Sequence, residues 1–265
     1  MAIEHALVPD QYVTVNGTKL RYLEAGEGPP LLLIHGLSVH EPADQWRAYL
    51  DEMGGSFHLY AIDLPGWGLS DMPLDGYSFP MWVDAVAGFV DAMGMETLDI
   101  MAYSFGSWIA GLYIAEHPER VRRFVSLHNP GLNKVVSQYH PADDVEMPSL
   151  DRLRRAYASE ELAQKVFTEM NRDGRVEAHT ALLHYISDPQ IREEWSLRHR
   201  LAAMPLPILS ADRDTGFVDG TVECAKLAPL ARILITPSQR PMPELVAAGK
   251  AFLLEPEITP IGKVR

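Results

Sequence analysis

The chain has 265 residues, of which 47% are hydrophobic and 22% charged, and its formal net charge is −13. This length suits one domain, or one domain with an insertion, and allows a large buried core. The acidic balance disfavours binding to nucleic acid, because the phosphates would be repelled. The single cysteine, Cys224, excludes an intrachain disulfide.

The N-terminal segment and the apolar runs give no sign of membrane targeting. The first residues, MAIEHALVPDQYV, lack the basic stretch and apolar core of a signal peptide. No apolar run approaches the ~20 residues that span a bilayer. No cluster of cysteine and histidine has the spacing of a zinc site. We therefore expect a cytoplasmic protein without a membrane partner.

The first half of the chain alternates apolar strands with helices. Two alternating runs around Asn16-Gly17 predict a β-hairpin. The continuous apolar runs PPLLLIHGL, SFHLYAIDL, TLDIMAYS and VRRFVSL are typical of strands buried on both faces. The segments SFPMWVDAVAGFVDAMG and FGSWIAGLYIAEHPER have helical spacing. This alternation predicts a mostly parallel sheet with helices on both faces.

The alternation stops after about Pro130. Residues 133–200 are polar, charged and helical in pattern, and we interpret them as a helical insertion after the sixth strand. The runs LPILSADRD and ARILITPS then restore the strand pattern, and a helix is expected over about Pro243–Leu254. Residues 1–132 and 201–265 would together form the α/β core.

The segment LDIMAYSFGSW places Ser104 between a predicted buried strand and a helix. Ala102 and Gly106, two residues to either side, are small enough for a sharp turn that exposes the serine hydroxyl. The helix N-terminus adds a partial positive charge, and the N–H of Phe105 can donate to an oxyanion. Ser104 is therefore the candidate nucleophile.

These residues resemble the nucleophile elbow of the α/β-hydrolase fold family, Gly-x-Ser-x-Gly, with Ala102 in place of the first glycine. Three further segments resemble the same family. LLLIHGLSVH is similar to its His-Gly turn, YAIDLPGWGLSD to its Asp-x-x-Gly-x-Gly-x-Ser loop, and LPILSADRD to its strand ending in Gly-x-x-Asp. The resemblance covers about Asn16–Leu254. It implies an α/β-hydrolase fold in which residues 133–200 form the lid.

The resemblance also implies catalytic roles. Leu37, after the His-Gly turn, would supply the second oxyanion N–H beside that of Phe105. Asp214 would be the acid of the catalytic triad, although Asp212 and Asp219 leave the register open. No metal or organic cofactor is implied, and the expected partner is a small-molecule substrate. The oligomeric state is left open.

The pocket around Ser104 is expected to be apolar. Five aromatic residues lie in or near loops that would surround it, and of these Phe105 and Trp67 are expected to face the ligand: Trp46, Trp67, Trp82, Phe105 and Trp108. The residues predicted to line the substrate pocket are His35, Gly36, His40, Trp67 and Tyr103. Within the resemblance, His35 and Asp63 would also organise their loops.

The base of the triad is missing from its usual place. The family's order along the chain is serine, acid, histidine, whereas this chain has no histidine after His199. The turn after the last predicted strand, Thr236 to Pro241, reads TPSQRP. Gln239 or Ser238 there can form hydrogen bonds but cannot accept a proton near neutral pH.

Three explanations fit this sequence. In the first, His128 replaces the base, because it ends the strand beside the nucleophile strand, about 4.8 Å away; His40, His179 and His184 are weaker candidates. In the second, the protein is a non-hydrolytic enzyme of this fold, such as a lyase. In the third, it is a catalytically silent binding protein. The leading hypothesis is hydrolysis of an ester, lactone or thioester through Ser104, with Asp214 and His128 as its partners.

Overall fold

A computed structural model describes residues 8–37, 42–132, 147–157, 159–213, 218–237 and 241–256. Within these ranges one sheet contains β1 (Asp10–Val15), β2 (Thr18–Ala25), β3 (Pro30–Ile34), β4 (His58–Ile62), β5 (Leu98–Tyr103), β6 (Val121–Leu127), β7 (Ile208–Arg213) and β8 (Ala231–Thr236). The spatial order is β1-β2-β4-β3-β5-β6-β7-β8. The pairs β1–β2 and β2–β4 are antiparallel, and the others are parallel. The predicted mostly parallel sheet is therefore confirmed.

The α-helices of the described residues are α1 (Arg47–Gly54), α2 (Phe79–Ala92), α3 (Phe105–Glu116), α4 (Leu150–Ala156), α5 (Glu160–Met170), α6 (Arg175–Ser187), α7 (Pro189–Glu194), α8 (Val218–Leu227) and α9 (Pro241–Leu254). Local sequence explains several starts. Ser78 accepts a hydrogen bond from Met81 N at the start of α2, and Ser149 and Ser159 cap α4 and α5 in the same way. None of these helices is both long and apolar enough to cross a membrane.

The core lies on both faces of the sheet, which explains the continuous apolar runs of the central strands. Leu32 and Ile34 of β3 pack in a cluster with the buried side chains of α2 and α3. Leu31 and Leu33, which alternate with them, pack in a second cluster with side chains of α1 and α9. All four leucine and isoleucine side chains are fully buried. The strand ends that carry polar residues are therefore held by a rigid apolar frame.

The helices α4–α7 follow β6 in the chain, as the sequence predicts, and precede β7. Helices α4 and α5 contribute a small core of their own, formed by Leu153, Tyr157, Ala163, Val166 and Met170. Lys165 Nζ lies 2.7 Å from Asp10 Oδ2, and Trp108 Nε1 donates to Trp195 O at 2.8 Å. These bonds connect the inserted segment to the α/β core. The limits of the insertion and its role as a lid stay predictions.

Candidate active site

Ser104 lies in the sharp turn between β5 and α3. Its backbone has φ 52° and ψ −119°, a sparsely populated conformation that costs on the order of 1–3 kcal/mol. The Ser104 side chain does not cap α3, so its hydroxyl accepts no hydrogen bond from the N–H groups at the start of that helix. A Cβ atom on Gly106 would lie 2.3 Å from the carbonyl oxygen of His35. The strand-to-helix turn therefore demands the small residue that the sequence places there.

The predicted oxyanion turn packs directly on Ser104. A Cβ atom on Gly36 would lie 3.2 Å from Ser104 Cβ and 2.8 Å from Cδ1 of the Tyr103 ring. Leu37, the next residue, is partly exposed. Phe105 is the first residue of α3, where backbone N–H groups have no partner within the helix. Both predicted oxyanion donors thus belong to segments that contact Ser104, although their role stays a prediction.

His35 connects the Gly36 turn to the loop after β4. Its imidazole is fully buried. Nε2 accepts a hydrogen bond from Leu64 N at 3.0 Å, so Nδ1 carries the proton and donates to Gly36 O at 2.6 Å. Burial lowers the pKa of His35 to about 4. Both ring nitrogens are thus engaged inside the protein, and the place of His35 in a substrate pocket stays a prediction.

His128 is the first residue after β6 and adjoins Ser104 across the sheet. Tyr103 pairs with Leu127, and Ser104 N donates to Leu127 O at 2.7 Å. The His128 side chain is 17% exposed, and its ring stacks on that of Tyr103 with centroids 5.8 Å apart. His128 and Ser104 therefore lie at neighbouring strand ends, and the role of His128 as base stays a prediction.

The carboxylate beside His128 belongs to Asp212. Asp212 Oδ1 lies 2.7 Å from His128 Nδ1, and the Asp212 side chain is fully buried on β7. Asp214, predicted as the acid, lies outside the described residues, as do His40, Ser238 and Gln239. The sequence interpretation named Asp212 only as an alternative register. A signal for Asp212 was present in the sequence, because polar Ser210 and Asp212 alternate with apolar Leu209 and Ala211. In a strand this alternation puts Ser210 and Asp212 on the same face of the sheet.

Ser107 and Asn129, which the sequence interpretation missed, form hydrogen bonds at the ends of β5 and β6. Ser107 Oγ donates to Ala102 O at 2.6 Å and accepts from Leu127 N at 3.2 Å. Asn129 Nδ2 donates to Ser107 O at 3.2 Å, while its Oδ1 accepts from Gly131 N at 2.9 Å. Both side chains are buried. The sequence signal was their polarity next to the apolar runs of β6 and α3.

The aromatic residues predicted to surround the pocket are packed in the core. Trp46, Trp67 and Trp82 are fully buried, and Phe105 and Trp108 are 3% exposed. Trp67 stacks obliquely on Phe105, with ring centroids 5.3 Å apart, and its Nε1 donates to Leu37 O at 3.3 Å. The indole thus packs in the core beside the turn that contains Leu37, and the expectation that Trp67 faces a ligand stays a prediction.

Arg192 of α7 is a cation near this aromatic cluster. Its guanidinium lies 5.5 Å from the centroid of the Trp108 ring, and Trp108 stands one helical turn after Ser104. Burial lowers the pKa of Arg192. Among the described residues, no carboxylate pairs with it.

The two weaker candidate bases of the inserted segment, His179 and His184, lie on α6 and differ in exposure. His179 is buried and His184 is exposed.

A buried ionic cluster braces the loop after β4. The guanidinium of Arg21 is fully buried and lies 2.6 Å from Asp10, 2.8 Å from Asp44 and 3.3 Å from Asp63. Asp63 also accepts from Ala43 N at 2.7 Å, and burial raises its pKa to about 6. Its surroundings agree with the predicted loop-bracing role. In the described part of the chain, no group of three or more His, Cys, Asp or Glu side chains could hold a metal ion.

Curated proteins with similar sequences include hydrolases of small carbonyl compounds. The chain is 30% identical over 190 residues to a 2-hydroxymuconate semialdehyde hydrolase from Pseudomonas sp. (strain CF600), covering 68% of this chain and 65% of the relative. It is 26% identical over 194 residues to a 2-hydroxy-6-oxo-2,4-heptadienoate hydrolase from Pseudomonas putida, covering 69% and 68%. The chain thus spans slightly less than two thirds of the first relative's length.

Solved structures show the same fold at low sequence identity. A variant of the meta-cleavage product hydrolase CumD from Pseudomonas fluorescens has a TM-score of 0.71 at 21% identity, over 92% of this chain and 97% of the other. The enol-lactonase from Burkholderia xenovorans has a TM-score of 0.67 at 19% identity, over 92% and 100%. The sequence model of the α/β-hydrolase fold family matches residues 29–184. The chain belongs to the α/β-hydrolase fold family.

Proposed function

We propose that this protein hydrolyses a carbonyl-containing small molecule of the ester, lactone or thioester type, with Ser104 as nucleophile and His128 as base. The observation that carries the proposal is the adjacency of these two residues. Ser104 N donates to Leu127 O, the residue before His128, at 2.7 Å. The backbone of Ser104 has a positive φ, as in the strained strand-to-helix turn that presents a serine nucleophile.

The proposed reaction begins with proton transfer from the Ser104 hydroxyl to the His128 imidazole. The serine oxygen forms a bond to the carbonyl carbon, and the N–H groups of Leu37 and Phe105 hold the resulting oxyanion. The imidazolium then returns its proton to the leaving group as the bond to that group breaks. Water repeats the two steps on the acyl-enzyme and releases the acid.

The relatives and one arginine support a narrower substrate class. Two relatives are named as hydrolases of 2-hydroxymuconate semialdehyde and 2-hydroxy-6-oxo-2,4-heptadienoate, and both names denote carboxylates with a further carbonyl group. Arg192 lies half-buried against Trp108. A guanidinium in such a setting is suited to a carboxylate. We therefore propose carboxylate-bearing carbonyl compounds as the first substrates to assay.

A fluorophosphonate probe tests the nucleophile and the base together. We expect the probe to label the unmodified protein and to fail on the Ser104→Ala variant. His128→Ala should slow labelling by at least about a hundredfold, because the serine then lacks its base. His58→Gln is the matched control, since His58 pairs with Glu24 at a partly exposed site. Labelling that survives His128→Ala at the normal rate would reject His128 as the base.

A non-hydrolytic reaction is the second candidate, and the lack of any histidine after His199 favours it. In that case the oxyanion donors would hold an enolate or carbonyl while a base removes a proton from carbon. Turnover that persists in Ser104→Ala, without labelling of the unmodified protein, would support this class. Ligand binding without turnover would support the silent binding protein instead.

A further inference from the structure

We propose that Asp212, and not Asp214, positions His128, so that the proton relay occupies three neighbouring strand ends in the order Ser104, His128, Asp212. The proposal rests on the function proposed above. It differs from the pattern of serine, acid and histidine along the chain, because the histidine here precedes its acid. Asp212 acts through His128 and is therefore a positioning residue.

The sheet register places the three residues in one row. Tyr103 pairs with Leu127, and Leu127 pairs with Ala211. The next residue on each strand is therefore Ser104, His128 or Asp212. Two backbone bonds continue the row past the last paired residues, from Ser104 N to Leu127 O at 2.7 Å and from His128 N to Ala211 O at 2.8 Å. Adjacent parallel strands are about 4.8 Å apart, which is within side-chain reach.

The contact between Asp212 and His128 selects one imidazole tautomer. An ionised carboxylate can only accept, so the 2.7 Å contact with Asp212 Oδ1 places the proton on His128 Nδ1. Nε2 then keeps its lone pair and can accept the proton of Ser104. Asp212 Oδ1 also accepts from Arg213 N at 2.8 Å, which holds the carboxylate in place. The contact with Asp212 therefore leaves His128 in the tautomer that a base for Ser104 requires.

The backbone around His128 shows that the surrounding structure imposes this arrangement. His128 has φ 54°, an uncommon conformation for a residue with a side chain that persists only where the surroundings hold it. The strand bond to Ala211 and the buried side chain of Asn129 fix the chain on either side. Because Asp212 is fully buried, water does not weaken its bond to the imidazole.

Histidine labelled with ¹⁵N reports the tautomer of His128 in the unliganded protein, so this readout does not depend on hydrolysis. The signal is assigned by its loss in His128→Gln, among the 10 histidines of the chain. We expect a protonated Nδ1 in the unmodified protein and mainly a protonated Nε2 in Asp212→Ala, because Nδ1 then loses its acceptor. Alanine is used because the oxygen of an asparagine could still accept from both Arg213 N and His128 Nδ1. Asp219→Asn, which removes an exposed carboxylate of α8, is the control that should change nothing.

Kinetics supply the second readout. Asp212→Ala should lower kcat by about 10³-fold or more, whereas Asp212→Glu should retain part of the activity because it keeps a carboxylate. If Asp214→Ala changes the tautomer of His128 and Asp212→Ala does not, the proposal is overturned. It is equally overturned if both alanine variants keep Nδ1 protonated. A normal tautomer pattern without serine labelling would instead reject the proposed function and leave the Asp212–His128 pair standing.

Discussion

Replacing His35 by glutamine should weaken the fold in a way that depends on pH. The imidazole is fully buried, accepts from Leu64 N and donates to Gly36 O. Glutamine cannot keep both bonds, and a buried polar group left without a partner costs about 1–3 kcal/mol. Burial also lowers the pKa of His35 from 6.5 to about 4. Below pH 6.5 the unfolded chain therefore binds a proton that the folded chain does not. The stability that His35 contributes is complete above that pH and is lost as the pH falls toward 4.

The size of this effect follows from the two pKa values. The difference between 6.5 and about 4 corresponds to roughly 3 kcal/mol at low pH. At about pH 5 the loss should be roughly 2 kcal/mol, because the folded-state imidazole is still neutral there. The glutamine variant has no such group. The stability difference between the unmodified protein and His35→Gln should therefore shrink by about the same amount between pH 7.5 and pH 5.

Urea unfolding at several pH values measures this difference. Midpoints and slopes are compared for the unmodified protein, His35→Gln and the control His58→Gln, whose imidazole is partly exposed and pairs with Glu24. If the unmodified protein and His35→Gln lose stability in parallel as the pH falls, the reasoning is refuted. His35 would then titrate in the folded protein and could not be a neutral brace.

Two further substitutions test the frame of the site. Gly106→Ala should lower the melting temperature and slow turnover, because its Cβ would lie 2.3 Å from His35 O; Gly55→Ala, which meets no atom within 4 Å, should do neither. Arg21→Met should reduce the free energy of unfolding by about 3–5 kcal/mol, because it leaves three carboxylates without their buried cation. A urea midpoint that Arg21→Met leaves unchanged would contradict the role assigned to this cluster.

The strands and the nucleophile turn were predictable because local signals agree with the fold. The continuous apolar runs of β3 and β5 require cover on both faces, and the sheet supplies it. Ser104 between small residues predicts a sharp turn, and the positive φ of Ser104 confirms it. The helix after β8 begins at Pro241, two residues before its predicted start, a difference of the size by which helix ends commonly vary.

Side-chain environments were less predictable, since composition does not say which face of an element a residue occupies. Trp67 was expected to contact a ligand, yet it is buried against Phe105 because its loop folds inward. His35 and Trp67 both carry polar ring atoms that suit a pocket. These atoms instead form hydrogen bonds to the backbone carbonyl oxygens of Gly36 and Leu37. Only packing decides between these uses.

The sequence by itself determined the fold family, the place of Ser104 and the absence of a histidine after the last strand, since each depends on order and spacing along the chain. Tertiary structure alone decided that the Asp212 carboxylate meets His128. Asp212 and His128 are 84 residues apart in the chain, and they meet because β6 and β7 pair in one particular register. A shift of one residue in that register would turn the carboxylate to the other face of the sheet.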